Sequence, residues 1–320
     1  MSPQSHTRLN KENTRIVFMG TPEFAVASLD ALCKAGYHVV AVVTAPDKPS
    51  GRGMKLNESA VKKYALAHDM ELLQPEKLKA PQFVDALRAI QAHLQIVVAF
   101  RMLPEMVWNM PPMGTVNVHG SLLPQYRGAA PINWAVINGE KETGVTTFKL
   151  QHEIDTGNIL LQENMAIGEN ETAGEVHDRM KEIGANLLVR TIDGLVSGTI
   201  QEKPQSQLSP DALIRAPKIF TETCRINWNK PMNEVYNLIR GLSPYPGAFT
   251  LLDDKNLKIF QAKKIEHAPV LPPGKHETDG KLFLRYACAD GSIEIQELQL
   301  EGKKRMKVEE FLRGYSRIVG

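Results

Sequence analysis

The densest chemistry in the chain lies in the run Thr115-Val-Asn-Val-His-Gly-Ser-Leu-Leu-Pro124. Side chains alternate faces along an extended strand. Asn117 and His119 therefore project from one face, with Val116 and Val118 on the other. Gly120 and Pro124 then take the chain out of the strand. A side-chain amide offers a donor for a developing oxyanion, and an imidazole beside it can move a proton. Acyl transfer to an amine needs both. The competing reading is a capped strand end with a solvated histidine. Two neighbours weigh against it. The segment 121–131 (SLLPQYRGAAP) is a long loop dense in turn formers that opens a helix at 132–134. Further on, Ile154-Asp155-Thr156-Gly157 sets an acid at a tight turn between two strand candidates. Asp155 can orient His119 and favour its charged form. A serine close to a histidine also invites a hydrolase reading of Ser121, but the G-x-S-x-G elbow is missing.

These residues need a scaffold, and the chain supplies alternating elements. The run 15–19 (RIVFM) is a short apolar strand ending at Gly20. Thr21 and Pro22 offer an N-cap and a first-turn proline. Phe24, Val26, Ala27, Leu29 and Leu32 carry a helix to Gly36, and 37–44 is a second apolar strand. Strand, helix and strand within about thirty residues make a βαβ unit and hence a parallel sheet. The alternation continues with helices at 59–69 and 81–93 and strands at 95–100, 115–119, 144–150 and 159–167. A long amphipathic helix spans 172–196. In such a sheet Asn117 and His119 sit at the carboxyl end of a strand, where open α/β sheets bind ligands. After Gly198 the stretch 201–217 is polar and proline-punctuated, the composition of a linker. Beyond it lie a helix at 232–240 and short strands at 248–252, 257–262, 281–287 and 292–300, the pattern of a small antiparallel barrel or sandwich.

Composition narrows the classes. The chain has 320 residues, 42% hydrophobic and 23% charged, with 38 basic and 36 acidic side chains for a net charge of +2. Intrinsic disorder and a general polyanion-binding coat are excluded, so any nucleic-acid contact must be a local patch. Cys33, Cys224 and Cys288 stand far apart, without C-x-x-C, and read as core or surface thiols. No H-x-x-H or H-E-x-x-H pair appears, so no metal site is readable. Gly20-Thr21-Pro22 lacks G-x-G-x-x-G, so NAD binding is weakly supported. Residues 1–14 read as a polar extension without the apolar stretch of a signal peptide, and no run is long enough to span a bilayer. A cytoplasmic protein without membrane association is the expectation. Trp108, Trp134 and Trp228 read as packing residues.

The motifs together resemble the formyltetrahydrofolate-dependent formyltransferase family. F-M-G-T-P-E-F at 18–24, P-D-K-P-S-G-R-G at 46–53 and N-V-H-G-S-L-L-P-x-Y-R-G-A-A-P at 117–131 carry the likeness. T-G-V-T at 143–146, D-T-G at 155–157 and L-S-P-Y-P-G-A at 242–248 complete it. The resemblance covers nearly the whole chain. It implies a Rossmann-like parallel-sheet α/β formyltransferase domain at 15–200, a linker at 201–217 and a small OB-like β-barrel that binds tRNA at 218–320. It implies Asn117, His119 and Asp155 as catalytic residues and Ser121, Leu122, Leu123 and Pro124 as the folate-binding segment. The Gly51-Arg52-Gly53 loop, with Lys48 and Lys55, is implied to meet the acceptor end of a tRNA. The co-substrate implied is 10-formyltetrahydrofolate, the partner initiator methionyl-tRNA, the chain a monomer and no metal is required.

One position departs from the family pattern. Where the family has Ala-Tyr-Gly, this chain reads Ala99-Phe100-Arg101. Glycine permits backbone angles that arginine resists. The loop is expected to border the pterin pocket, so Arg101 sets that wall apart. Two basic stretches carry alternatives. The 45–59 loop is either a solvated flexible loop or a basic finger for phosphates and bases. The tail basic residues Lys303, Lys304, Arg305, Lys307, Arg313 and Arg317 are either a solvated face or a tRNA backbone patch. Two other functions compete: a formyltransferase of the same family acting on a small amine, such as an amino-sugar nucleotide, and a tRNA- or folate-binding protein without catalysis. The Gly51–Gly53 loop and the Asp155 turn favour the tRNA acceptor, and the intact trio argues against a mere binder.

Overall fold

The computed structural model describes residues 9–50, 55–208, 213–267 and 270–315. The chain forms two compact units. One comprises Met1–Arg127, Gly144–Met165 and Asp178–Arg215; the other comprises Gly128–Thr143, Ala166–His177 and Ala216–Gly320.

A seven-stranded sheet organises the first unit. Its spatial order is Ile159–Ala166, Glu142–Lys149, Thr115–His119, Leu94–Val98, Arg15–Gly20, His38–Val43 and Leu72–Leu73. From Thr115–His119 to Leu72–Leu73 all neighbours run parallel. The central strands read as unbroken apolar runs because both faces are covered; Ile16, Phe18, Leu94, Ile96 and Val98 are fully buried. Glycine at position 20 lets the first helix close onto the sheet, since a Cβ there would lie 2.6 Å from the Cβ of Ala25. That helix runs Glu23–Lys34. The expected cap shifts by one residue: Pro22, held extended at ψ 177, is the N-cap, and the Thr21 carbonyl instead accepts from the Val61 amide. Ser59 caps the Ala60–Ala67 helix by accepting from the Lys62 amide.

The parallel alternation stops at the strand Thr115–His119. Glu142–Lys149 pairs antiparallel with Thr115–His119, with Thr146 opposite His119 and Lys149 opposite Val116. The chain enters this strand at the same end at which it left the previous one, so it runs back. The turn that follows then carries Asp155.

The second unit contains a curled antiparallel half-barrel, as the short strands predict. Ala248–Leu252, Lys255–Ile265, Ser292–Leu300, Leu284–Ala287 and His276–Thr278 follow in order, and Met306–Lys307 pairs with Ser292–Leu300. Its core holds Leu257, Ile293 and Ile295 from the sheet and Val235 and Ile239 from the Met232–Gly241 helix. Trp228 stacks on Tyr286 with ring centres 4.6 Å apart. Cys288 is buried there, and burial pushes its thiol up to about 12, far from a reactive thiolate.

Candidate active site

Thr115–His119 sits between Leu94–Val98 and Glu142–Lys149, so both its edges are paired. Asn117 lies between Val97 and Phe148 in register. Its side chain is half-buried and makes no hydrogen bond to another described residue. His119 is buried, with 7% of its surface exposed. Its ring meets Phe148 edge-on at 6.4 Å. One ring nitrogen, Nε2, lies 3.0 Å from the Tyr126 carbonyl oxygen. A carbonyl can only accept, so Nε2 carries the proton in the neutral ring. The other nitrogen, Nδ1, then presents its lone pair, and the Asp155 carboxylate lies 4.0 Å from it. The structure thus brings His119 and Asp155 together, with Asn117 on the same strand face two residues away.

Asp155 is held by its turn. Its backbone is left-handed at φ 56. Gly157 follows against the preceding strand, where a Cβ would fall 1.6 Å from the Lys149 carbonyl oxygen. Gln205 donates to the Asp155 and Gly157 carbonyls at 2.9 and 2.8 Å. A cleft of about 480 Å³ beside this turn is lined by Pro124, Arg127, Gln151, His152, Thr156 and Gln205, among others.

The segment Ser121 to Pro124 mostly faces inward. The Ser121 hydroxyl donates to the Gln125 carbonyl at 2.7 Å. Leu123 packs with Phe148 and Ile159, and Pro124 is buried. Leu122 alone of the four is partly exposed. Thr146 ties the segment down: its hydroxyl donates to the Ser121 carbonyl at 2.7 Å and accepts from the Leu123 amide at 3.0 Å. Gln162 adds a bond to the Leu123 carbonyl at 2.9 Å. Thr146 lies in the T-G-V-T motif, which flagged the stretch but not this role. Gln205 and Gln162 carried no sequence signal.

The described part of the basic loop is a hairpin. Lys48–Ser50 and Lys55–Asn57 pair as an antiparallel hairpin, with Lys48 opposite Asn57 and Ser50 opposite Lys55. Lys48 is exposed. Arg52, with Gly51 and Gly53, lies outside the described residues. Both legs of the hairpin are anchored on one side chain. Lys62 bonds Asp47 before the first leg and reaches Glu58, after the second, at 2.8 Å. Gln74 donates to Asp47 and to the Ala45 carbonyl at 2.9 and 3.0 Å. The lysine beside Asp47 holds its carboxyl below the usual carboxylate range.

Arg101 does not strain its own backbone. The left-handed residue of that turn is Ala99, at φ 46. The Arg101 guanidinium instead donates to the Pro75 and Glu76 carbonyls at 2.8 and 3.0 Å. It ties two turns together.

A family model described as formyl transferase matches residues 14–192, more than half of the chain. The chain belongs to the formyl transferase family. A second model, formyl transferase, C-terminal domain, matches residues 218–316. Curated formyl transferase relatives align over nearly the full length. One from Bacteroides fragilis, named methionyl-tRNA formyltransferase, is 54% identical over 96% of this chain and 97% of its own. Its namesake in Parabacteroides distasonis is 54% identical over 97% and 98%. The one in Flavobacterium johnsoniae is 51% identical over 95% and 96%. Solved structures share the fold at lower identity. WlaRD, a sugar 3N-formyl transferase crystallised with dTDP and 5-N-formyl-THF, has a TM-score of 0.66 at 19% identity, covering 91% of this chain and 98% of its own. HypX from Aquifex aeolicus, in complex with tetrahydrofolic acid, has a TM-score of 0.64 at 18% identity, covering 93% of this chain and 46% of its own. Among the described residues of this formyl transferase, no group of three or more His, Cys, Asp or Glu is placed to hold a metal ion. No described helix is long and apolar enough to cross a membrane.

Proposed function

We propose that this formyl transferase moves the formyl group of 10-formyltetrahydrofolate to the α-amino group of methionine on initiator tRNA. The observation that carries the chemistry is one buried imidazole held between a carbonyl at Nε2 and a carboxylate facing Nδ1. The acceptor rests on the near-full-length identity to relatives named methionyl-tRNA formyltransferase.

The residues present fit a formyl donor. The Asn117 amide is half-buried at a strand's carboxyl end with no partner among the described residues, and a carbonyl oxygen is what such a donor can take. When bound, the folate supplies the formyl group on nitrogen. Asn117 donates an N–H to the formyl oxygen, where negative charge develops as the amine attacks. Removing one such donor typically costs about 3 kcal/mol of barrier. His119 takes the amine proton at Nδ1, since Nε2 already carries a proton bonded to Tyr126. The resulting imidazolium faces the Asp155 carboxylate, which stabilises it. The bond from the formyl carbon to N10 then breaks, His119 returns the proton to the departing tetrahydrofolate nitrogen, and no covalent enzyme intermediate is involved.

The remaining assignments follow the same reading. Ser121, Leu122, Leu123 and Pro124 form the folate side of the site, Leu122 by contact and the other three as its wall. Lys48, Arg52 and Lys55 meet the acceptor end of the tRNA. Residues 15–200 form the catalytic domain, 201–217 the linker and 218–320 the tRNA-binding domain. The protein works as a cytoplasmic monomer without membrane attachment.

Formyl transfer measured side by side on charged initiator tRNA, uncharged tRNA and amino-sugar nucleotides tests the reading. Transfer to charged tRNA alone is expected. Activity confined to the small amines overturns the acceptor and supports the sugar alternative.

A further inference from the structure

We infer that Gln205 is a positioning residue that holds the Asp155 turn and the Tyr126–Arg127 segment on either side of His119. The inference rests on the reading of His119 and Asp155 as the reacting pair. Composition places Gln205 in a linker, yet it is 3% exposed. Its amide is fully used. Nε2 donates one N–H to the Asp155 carbonyl and the other to the Gly157 carbonyl, at 2.9 and 2.8 Å. Oε1 accepts from Arg127 Nε at 3.0 Å and from Arg127 Nη2 at 2.5 Å. This pattern admits one orientation, because a flipped amide would set oxygen against two carbonyls and N–H against a guanidinium.

The two things that Gln205 joins are the two supports of the imidazole. The Asp155 turn brings its carboxylate to Nδ1. Arg127 follows Tyr126, whose carbonyl accepts a hydrogen bond from Nε2. The turn needs outside help, because a non-glycine residue stays left-handed only where its surroundings hold it. The flanking chain supplies more of that hold. Ile159 and Lys203 exchange backbone hydrogen bonds at 2.8 and 2.9 Å. Glu202 pairs with Lys149 at 2.6 Å and accepts from Asn158 at 3.0 Å. Gln205 is the member of this zipper that reaches across to the second support.

Two substitutions separate positioning from mere folding. Gln205→Glu keeps the acceptor for Arg127 and sets a carboxylate against the two carbonyls. Gln205→Leu removes both contacts. Each is assayed with the full chain, charged initiator tRNA and 10-formyltetrahydrofolate, after thermal unfolding shows that it is folded. A folded Gln205→Glu chain is expected to lose kcat by about tenfold, with KM for both substrates changed less than about twofold. In an Asp155→Asn background the same change should cost less than about a further twofold, because its effect runs through that carboxylate. A folded variant with unchanged kcat, a loss confined to KM, or multiplicative losses in the double variant overturns the inference. If Gln205→Glu does not fold, Gln205→Leu is judged on kcat and KM alone, because it also releases Arg127. Should Asp155→Asn alone leave kcat intact, the reading of the reacting pair fails instead, a separate outcome from failure of the brace.

Discussion

At the scale of single residues, Asn117 and His119 differ in what their removal leaves behind. The Asn117 side chain has no partner among the described residues, so truncating it strands nothing inside the protein. Asn117→Ala is expected to fold normally and to lose kcat by on the order of a hundredfold or more, read in steady-state formylation of charged tRNA. Arg101 invites the opposite test. Arg101→Gly frees the carbonyls of Pro75 and Glu76, and should lower stability by about 1–2 kcal/mol in a denaturant titration. The grouping of Asn117, His119 and Asp155 was legible in the sequence because strand period puts Asn117 and His119 on one face, and D-T-G marks an acid at a turn. Gln205 and Thr146 were not. Their roles come from bonds across 50 and 25 residues, which no local pattern encodes. The strain expected at Arg101 sits at Ala99, because local sequence does not tell which residue of a turn takes the left-handed angle.

At the scale of elements, the apolar runs foretold the main strands and helices to within a few residues. The paired strands Lys48–Ser50 and Lys55–Asn57 and the two-residue strand Leu72–Leu73 leave no mark in the sequence, since none has a period to read. The antiparallel sense of Glu142–Lys149 leaves none either, because pairing direction depends on where the connecting chain returns. Two predictions belong here. Lys62 anchors both legs of the basic hairpin, so Lys62→Ala should raise KM for charged tRNA by about fivefold and change kcat less than about twofold; equal loss in kcat would detach the hairpin from tRNA binding. Gly157 packs where no side chain fits. Gly157→Ala should cost at least about 2 kcal/mol of stability and take activity with it, because the Asp155 turn must move. Chemical denaturation and formylation kinetics on one preparation check both effects.

For the molecule as a whole, charge and pH act through patches rather than totals. The net charge of +2 is small. Lys303, Lys307 and Arg313 are exposed near the carboxyl end, whereas Arg305 is already engaged by Glu297 at 2.5 Å and covers the Phe260 ring. If the exposed cations meet the tRNA backbone, Lys303→Glu and Lys307→Glu should each flatten the salt dependence of tRNA binding by about one unit of log–log slope. An unchanged slope makes them a solvated face. His276, beside Tyr286, titrates below the ordinary histidine value of 6.5 because burial disfavours its charge, with Asp253 opposing that shift and Lys275 adding to it. The unfolded chain therefore binds the proton more readily. This contribution to stability is present above pH 6.5 and is lost as pH falls from there through the lower folded value. His276→Gln should lose less of its denaturation midpoint on acidification than the parent chain.

The strand that presents Asn117 and His119 has a hydrogen-bonded neighbour on each edge and buried valines beneath. Its amides should be among the last in the chain to take up deuterium from solvent, surviving until the sheet itself opens. Adaptation to a substrate as large as a nucleic acid then falls to the turns around that strand, while the amide and the imidazole stay where the sheet puts them.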